Sequence, residues 1–300
     1  MMWIRNLHKR RQMGKFDRQR DANKTTPQDV ERFDDIRYGM NKRFHKLDVY
    51  RPKGVEGKLP VIVSVHGGAW IYGDKETYQF YCMSLAQRGF AVVNFTYRLA
   101  PEFKYPAAVE DINSVFQWIL ANAGTYGLDT DNLFAVGDSA GAHLLAVYAC
   151  ILTNPEYAAT YPTILTPEIT LRAVGMNCGK YVLDQEFEED GELRQIARSL
   201  LPRKGTAREL RWVTPIHFVT ADFPPAFVMT ANEDFLRGQA PFLTKRLKEC
   251  GVTYEYKMYG SSDQILYHVF HCNPDEPAAG VCNDDECRFF RKFIVPDAGR

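Results

Sequence analysis

The sequence lacks the features that define several broad classes of protein. Its longest apolar stretches, such as residues 60–65 and 144–152, are too short to cross a membrane as a helix. Lys+Arg and Asp+Glu are equal at 37, so the chain has no overall basic excess of the kind that nucleic-acid-binding proteins carry. The basic N-terminus has no apolar core followed by small residues, unlike a secretory signal. We therefore predict neither a membrane partner nor a nucleic-acid partner.

The cysteines do not form a recognisable framework. Their number, seven, is odd, which fits reduced thiols in a cytoplasmic protein better than a set of disulfides. Cys272, Cys282 and Cys287 lie close together in sequence and near two histidines, but the chain has no C-x-x-C pair. We favour chance clustering over a metal site and predict no metal.

Short β-rich runs alternate with longer helical stretches along most of the chain. Residues 61–65 and 91–95 are almost continuously apolar, as strands are when both faces of a parallel sheet are covered. The predicted strands are 44–50, 61–65, 91–97, 133–136, 173–177, 226–230 and 254–258, and the predicted helices are 107–122, 140–153, 238–250 and 285–293. This alternation predicts an α/β fold with a mainly parallel central sheet flanked by helices.

One stretch interrupts this alternation. Residues 179–223 are charged and rich in turn-forming residues, with helical propensity but no signal for a buried strand. We interpret them as an insertion above the sheet rather than as a separate domain. Together with residues 1–40 they are expected to form a small cap on a single domain that spans residues 1–300.

A G-x-S-x-G motif follows one of the predicted strands and precedes a predicted helix. In Gly137-Asp138-Ser139-Ala140-Gly141 the serine would occupy a sharp strand-to-helix turn that projects its hydroxyl outward. The helix would point its N-terminal N–H groups and the positive end of its dipole toward a developing negative charge. The context predicts that Ser139 is a nucleophile.

The segment after the strand at 61–65 can supply an oxyanion hole. It reads HGGAW, and its small residues allow backbone N–H groups to face a cavity. We expect Gly68, Ala69 and Ala140 to be the donors, provided that Ala69 needs no positive φ. His66 begins a tight turn, where a ring more often braces the loop than acts as a base.

A serine needs a base, and the base needs an acid that fixes its tautomer. His268 follows the last predicted strand and is the first candidate for the base, with His271 as the alternative. Asp234 follows the strand at 226–230 and is the first candidate for the acid. Glu233 is the runner-up and Asp263 is a weaker candidate. Asp234 could instead cap the following helix.

Four further histidines compete less well for the role of base. His143 lies four residues after Ser139 and is interpreted as a packing residue, while His8 lies in the basic tail, His45 on the first predicted strand and His217 in the insertion. The order Ser139, Asp234, His268 matches the chain order of α/β-hydrolases.

The sequence resembles the hormone-sensitive-lipase-like branch of the α/β-hydrolases, also called the alpha/beta hydrolase fold-3 group, from about residue 47 to residue 293. The similar segments are 47–50 (LDVY), 66–70 (HGGAW), 73–75 (GDK), 97–101 (YRLAP), 106–107 (PA), Asp111 and 137–141 (GDSAG). The resemblance implies an α/β-hydrolase fold and a carboxylesterase or acetyl esterase. Residues 179–223 match nothing in the family pattern, so no substrate preference carries over.

The predicted reaction is hydrolysis of a small-molecule ester through an acyl-serine intermediate, which needs no cofactor. Bulky side chains at Trp70, Tyr72, Tyr181 and Trp212 are expected to crowd the pocket and to favour short acyl groups. The same aromatic residues could stack on a sugar, which would suit acetylated carbohydrates. A formamidase or peptidase on the same fold, and a non-catalytic ligand receptor, are the alternatives. The sequence leaves the formation of a homo-oligomer open.

Overall fold

The buried apolar runs of the sequence form the middle of an eight-stranded sheet. The computed structural model describes residues 2–185 and 191–296. The strands are β1 (Val30–Arg37), β2 (Lys46–Pro52), β3 (Leu59–Val65), β4 (Ala91–Thr96), β5 (Leu128–Asp138), β6 (Leu171–Asn177), β7 (Ala226–Ala231) and β8 (Tyr254–Tyr259). They are ordered β1-β2-β4-β3-β5-β6-β7-β8. The pairs β1–β2 and β2–β4 are antiparallel and the other neighbours are parallel, which confirms the mainly parallel sheet.

Helices cover the sheet and extend beyond it. They are α1 (Met2–Asp21), α2 (Lys75–Ala86), α3 (Ala107–Tyr126), α4 (Ala140–Thr153), α5 (Pro155–Ala158), α6 (Gly191–Leu200), α7 (Ala207–Trp212), α8 (Ala240–Glu249) and α9 (Pro277–Arg291). Short 3-10 turns occur at Pro215–His217, Arg237–Gln239 and Phe270–Cys272. Among the described residues, no helix has both the length and the apolar character that a bilayer span requires.

Alternate residues of the central strands supply two separate cores. In β3, Val61 and Val63 pack into the core formed with α3, α4 and α8, whereas Ile62 faces the core formed with α2 and α9. This period of two is the pleat of a strand that is buried on both faces. The predicted strand interior is therefore confirmed at the level of individual side chains.

The N-terminal segment differs from the predicted cap of residues 1–40. Residues 30–37 form β1, which pairs antiparallel with β2 at the edge of the sheet. Only Val30 among its residues is fully buried, because an edge strand faces solvent along much of its length. The sequence VERFDDIR therefore lacks the apolar run by which the other strands were predicted.

The insertion after β6 carries helices but no strand among its described residues. Helices α6 and α7 lie in it, followed by the 3-10 turn at Pro215–His217. Part of the acidic run in this insertion, residues 186–190, lies outside the described residues. Helices α6 and α7 agree with the helical propensity predicted for the insertion.

A buried carboxylate of α9 packs against the glycine of β6. Glu286 accepts hydrogen bonds from Asn177 Nδ2 (2.8 Å) and from the Tyr81 hydroxyl (3.2 Å). Burial raises the pKa of Glu286 to about 7. A Cβ atom added at Gly175 would lie 2.0 Å from Glu286 Oε1, so the strand accommodates this carboxylate only because residue 175 has no side chain.

We expect Gly175→Ala to lower the free energy of unfolding by about 1–3 kcal/mol, because a methyl group would be forced into a filled core. Gly124→Ala is the matched control, since a Cβ atom there meets nothing within 4 Å. That change, inside α3, should leave stability unchanged or raise it by up to about 1 kcal/mol. Equilibrium denaturation in urea measures both, and equal stabilities for the two variants would contradict the packing argument.

Candidate active site

Ser139 occupies the sharp turn between β5 and α4, in a strained backbone conformation. Its φ of 52° and ψ of −117° lie outside the regions that L-residues ordinarily occupy. The Ser139 N–H donates to the carbonyl of Asn177 (3.0 Å), and the Ser139 carbonyl accepts from His143 N (3.2 Å). The side chain does not cap α4. Backbone hydrogen bonds thus hold Ser139 in a conformation that costs about 1–3 kcal/mol, and its hydroxyl is not used to cap the helix.

The two motif glycines are required by close contacts between backbones. A Cβ atom at Gly141 would lie 2.0 Å from the carbonyl oxygen of Val65 and 2.6 Å from that of His66. A Cβ atom at Gly137 would lie 2.7 Å from the carbonyl carbon of Gly141. The turn therefore packs directly against the end of β3, which is also where the HGGAW loop begins.

His268 and Asp234 form a hydrogen-bonded pair. His268 Nδ1 lies 2.7 Å from Asp234 Oδ1. Since a carboxylate only accepts, Nδ1 carries the proton and Nε2 is left as the basic nitrogen. Asp234 also accepts from Thr230 Oγ1 and from Leu236 N, both at 2.8 Å. His268 and Ser139 line the same cavity.

The surroundings keep Asp234 ionised. Burial acts to raise the pKa of Asp234, but the hydrogen bond and the charge of His268 outweigh burial, so the pKa lies below its usual value. Asp234 is not the N-cap of the following helices, which was the alternative interpretation: the N-cap residues are Leu236 and Gln239, and neither position has a side-chain cap. Of the other acids considered, Glu233 is exposed and lies 3.5 Å from Arg237, and Asp263 is exposed.

His66 braces the loop, as its position in the sequence suggested. Its ring is fully buried and stacks on Tyr97 with a centroid distance of 3.9 Å. Its Nδ1 lies 2.8 Å from the Gly67 carbonyl. Burial lowers the pKa of His66 to about 4, so the ring is a neutral packing group.

His143 and His271 are also buried, and their surroundings do not suit a general base. His143 Nδ1 accepts from Trp70 Nε1 (3.1 Å), and its Nε2 donates to the carbonyl of Val213 (2.6 Å). Burial lowers the pKa of His143 to about 4 and that of His271 to about 3. His271 Nε2 lies 3.4 Å from the Sγ of Cys272. Of the two late histidines, His268 is the one paired with an acid.

The three small residues of the HGGAW loop, Gly67, Gly68 and Ala69, all line the cavity. The N–H of Gly67 donates to Tyr78 Oη (2.9 Å) and to Asp138 Oδ1 (3.1 Å), so this donor is already used. Gly68 and Ala69 line the cavity beside Ser139. Gly68 has a φ of 117°, and a Cβ atom there would lie 2.1 Å from the Tyr72 carbonyl oxygen.

Ala69 has a positive φ, although the sequence analysis expected it to act as a donor only without one. Its φ is 51°, in the left-handed region that costs an L-residue about 1–2 kcal/mol. The alanine nevertheless has the same backbone N–H as the glycine of the family pattern. Ala140, the third expected donor, is the first residue of α4 and so contributes one of the N–H groups at the helix N-terminus.

Asp138 links the two loops, a role the sequence did not reveal. Its side chain is buried, and Oδ2 accepts from the Tyr78 hydroxyl (2.7 Å) while Oδ1 accepts from Gly67 N. Burial raises the pKa of Asp138 to about 6. Its position inside the G-x-S-x-G motif was the only available signal, because Tyr78 lies 60 residues away.

The cavity has a volume of about 530 Å³, and α1 forms one of its walls. From this helix it is lined by Lys9, Met13, Phe16, Asp17 and Arg20. The Tyr72 hydroxyl donates to Asp17 Oδ2 (2.7 Å), which joins the helix to the loop beside Ser139. None of the described residues of the insertion lines this cavity.

Three of the four aromatic residues predicted to bind substrate lie elsewhere. Tyr72 lines the cavity, but Trp70, Tyr181 and Trp212 do not. Trp70 is buried and donates to His143, and Tyr181 is fully buried. Trp212 stacks on Tyr161 with a centroid distance of 4.8 Å. Trp70 and Tyr181 pack inside the protein, and Trp212 is half-buried, because large apolar surfaces are more stable out of water.

Cys178, Asp234 and His268 are the described side chains that come closest to a metal-binding group. Their ligand atoms lie within 4.8 Å of one another. Two of the three are already joined by the Asp234–His268 hydrogen bond. Burial raises the pKa of the Cys178 thiol well above its usual value, which disfavours the thiolate that a metal binds. Cys272, Cys282 and Cys287 are buried free thiols.

The chain is similar to esterases both in sequence and in structure. A family model described as alpha/beta hydrolase fold matches residues 62–271. A versiconal hemiacetal acetate esterase of Dothistroma septosporum is 40% identical over 247 residues, which cover 79% of this chain and 74% of the relative. The carboxylesterase NlhH of Mycobacterium tuberculosis is 30% identical over 232 residues, covering 74% and 70%. Esterase B of Lactobacillus rhamnosis superposes with a TM-score of 0.89 at 26% identity, covering 97% of this chain and 95% of that one.

We expect Asp234→Asn to lower kcat by about 10⁴, because an amide holds the imidazole in the wrong tautomer while preserving its geometry. Glu233→Gln is the control, because it also replaces a carboxylate by an amide, at an exposed side chain one residue away. Steady-state kinetics on a 4-nitrophenyl ester measures both. A larger loss from Glu233→Gln than from Asp234→Asn would exchange the two assignments.

Proposed function

Because this chain belongs to the alpha/beta hydrolase fold family and is an ester hydrolase, we propose that it cleaves short-chain carboxylic esters through the triad Ser139, His268 and Asp234. The observation that carries the proposal is the 2.7 Å contact of His268 with Asp234, on the cavity that also holds Ser139. The triad alone does not distinguish esters from amides. The choice of esters is supported by the relatives, which are named esterases.

In the acylation half-reaction, Ser139 Oγ attacks the ester carbonyl carbon while its proton passes to His268 Nε2. The carbonyl oxygen becomes an oxyanion that the N–H groups of Gly68, Ala69 and Ala140 stabilise, each donor contributing about 10²–10³ in rate. The bond from the carbonyl carbon to the alcohol oxygen then breaks. His268 gives its proton to that oxygen, the alcohol leaves and an acyl-serine remains.

In the deacylation half-reaction, water attacks the acyl carbon and loses a proton to His268. The bond to Ser139 Oγ breaks, the serine oxygen regains its proton, and the carboxylic acid leaves. Asp234, ionised throughout, stabilises the imidazolium that forms in each half-reaction. The residues supply every proton transfer in this scheme, so the proposed reaction uses no cofactor.

Short acyl groups are proposed on two grounds. Helix α1 lies along the cavity, and the Tyr72–Asp17 hydrogen bond closes the wall near Ser139. The name of the Dothistroma relative specifies an acetate ester. The hypothesis that acetylated carbohydrates are substrates loses its support from Trp70, Tyr181 and Trp212, because these residues lie outside the cavity lining.

We expect acetate and butyrate esters of 4-nitrophenol to be hydrolysed faster than the octanoate, because a short acyl group fits between α1 and Ser139. Initial rates over this series measure the preference. Ser139→Ala should lower the rate by at least about 10⁴ and abolish stoichiometric labelling by a fluorophosphonate. Ser114→Ala, on the distant helix α3, is the control and should retain both. Labelling that persists in Ser139→Ala would refute the assignment of the nucleophile, and an octanoate preference would refute the acyl limit.

We expect kcat/KM to decrease between about pH 7 and pH 4, because a protonated imidazole has no lone pair on Nε2 to accept the serine proton. Asp234, whose pKa is lowered, stays ionised through this range. A pH–rate profile measures the decrease, and circular dichroism at each pH controls for unfolding. A rate that stayed constant down to pH 4 would contradict histidine as the base.

A further inference from the structure

Exposed apolar side chains surround the mouth of the catalytic cavity. Phe16, Phe235, Ile265 and Tyr267 are exposed by 71%, 77%, 48% and 68%, and all four line the cavity. We call these four residues the apolar rim. Clustered apolar surface at the edge of a cleft is typical of a ligand-binding groove, whereas apolar residues exposed singly need no explanation.

The apolar rim is built on the loops that carry the acid and the base. Phe235 directly follows Asp234, and its ring lies 4.3 Å from the imidazole of His268, measured between centroids. Tyr267 directly precedes His268, and Ile265 lies two residues earlier in the same loop. Phe16 faces the cavity from α1. The His268 side of the cavity therefore carries three of the four residues of the apolar rim, namely Phe235, Ile265 and Tyr267.

The reaction determines which half of the substrate meets this side. His268 must give a proton to the oxygen of the departing alcohol, so that oxygen lies within hydrogen-bond reach of Nε2. The carbonyl oxygen, in contrast, lies at the Gly68 and Ala69 N–H groups. The body of the alcohol then extends from His268 toward solvent along the apolar rim.

We propose that the apolar rim binds the alcohol half of the ester, and that the enzyme selects acetate-like esters of bulky apolar alcohols, aromatic ones above all. This inference rests on the proposed function. Two charged groups of the cavity wall are already bonded within the protein: Asp17 accepts from Tyr72 (2.7 Å), and Arg20 pairs with Asp21 (2.6 Å) and donates to the Thr77 carbonyl. A sugar alcohol would gain little from them, whereas an aromatic ring would bury the exposed faces of Phe235 and Tyr267.

The test compares acetates whose leaving alcohols are similarly acidic but differ in apolar size. Ethyl acetate, 2-phenylethyl acetate, 2-(2-naphthyl)ethyl acetate and 6-O-acetylglucose are assayed by pH-stat below their solubility limits, and the naphthyl ester also above its limit. We expect kcat/KM to rise at least about tenfold from ethyl to 2-phenylethyl acetate and to rise further for the naphthyl ester. The rate for 6-O-acetylglucose should not exceed that for ethyl acetate.

Variants then test whether the apolar rim is responsible for the preference for bulky apolar alcohols. Tyr267→Ala and Ile265→Ser should each lower the naphthyl-to-ethyl ratio of kcat/KM at least about threefold. Tyr256→Ala and Leu165→Ser are matched controls, because these side chains are exposed by 41% and 76% but lie outside the cavity lining. They should keep the ratio. Since both substrates are measured on the same preparation, a partly unfolded variant loses rate without changing its ratio.

Several outcomes would overturn the inference. They are a naphthyl-to-ethyl ratio near one, a preference for 6-O-acetylglucose, a preference that survives in both rim variants, and a rate that rises only above the solubility limit of the ester. The last would assign the rim to a lipid–water interface. Failure to hydrolyse ethyl acetate or 4-nitrophenyl acetate, with no labelling of Ser139 by a fluorophosphonate, would instead refute the proposed function itself.

Discussion

The close approach of the Ser139 turn to the end of β3 is the constraint on which the rest of the site depends. Gly141 lies so near the Val65 and His66 carbonyl oxygens that a Cβ atom would overlap with both. This contact holds the serine in its strained conformation and places the N-terminus of α4 beside the loop that begins at His66. One packing contact thus brings together the proposed nucleophile and the N–H groups proposed to stabilise the oxyanion.

The buried carboxyl group of Asp138 reinforces this contact with hydrogen bonds. It accepts from Gly67 N and from Tyr78 Oη, so it ties the residue preceding Ser139 to the loop across from it. Burial of such a group is unfavourable unless its hydrogen bonds are made, and here they are made to groups that must be positioned anyway. A Cβ atom at Gly67 would lie 2.4 Å from Asp138 Oδ2, which explains why this residue also lacks a side chain.

The features that could be predicted from the sequence are those that neighbouring residues in the chain encode. The buried strands, the turn at Ser139 and the order Ser139, Asp234, His268 follow from apolar runs and from residues at strand ends. Strand β1 escaped prediction because an edge strand carries no continuous apolar run. The link between Asp138 and Tyr78 joins distant segments, and no spacing in the sequence encodes it. Aromatic residues near the motifs were misleading, since a ring such as Trp70 serves a packed core as well as a pocket wall.

Helix α1 shows why the cavity wall was the least predictable part. It lies more than a hundred residues before Ser139 in the chain. Its contacts with the loop after β3 depend on polar pairs rather than on an apolar pattern. Arg10 donates to the carbonyls of Ile71 and Ala100 and pairs with Glu102 at 2.7 Å. The helix is thereby fastened to the segment that begins with Gly68 and Ala69. A ligand that displaced α1 would also break bonds to this segment, so the width of the cavity and the placement of the proposed oxyanion donors are set together.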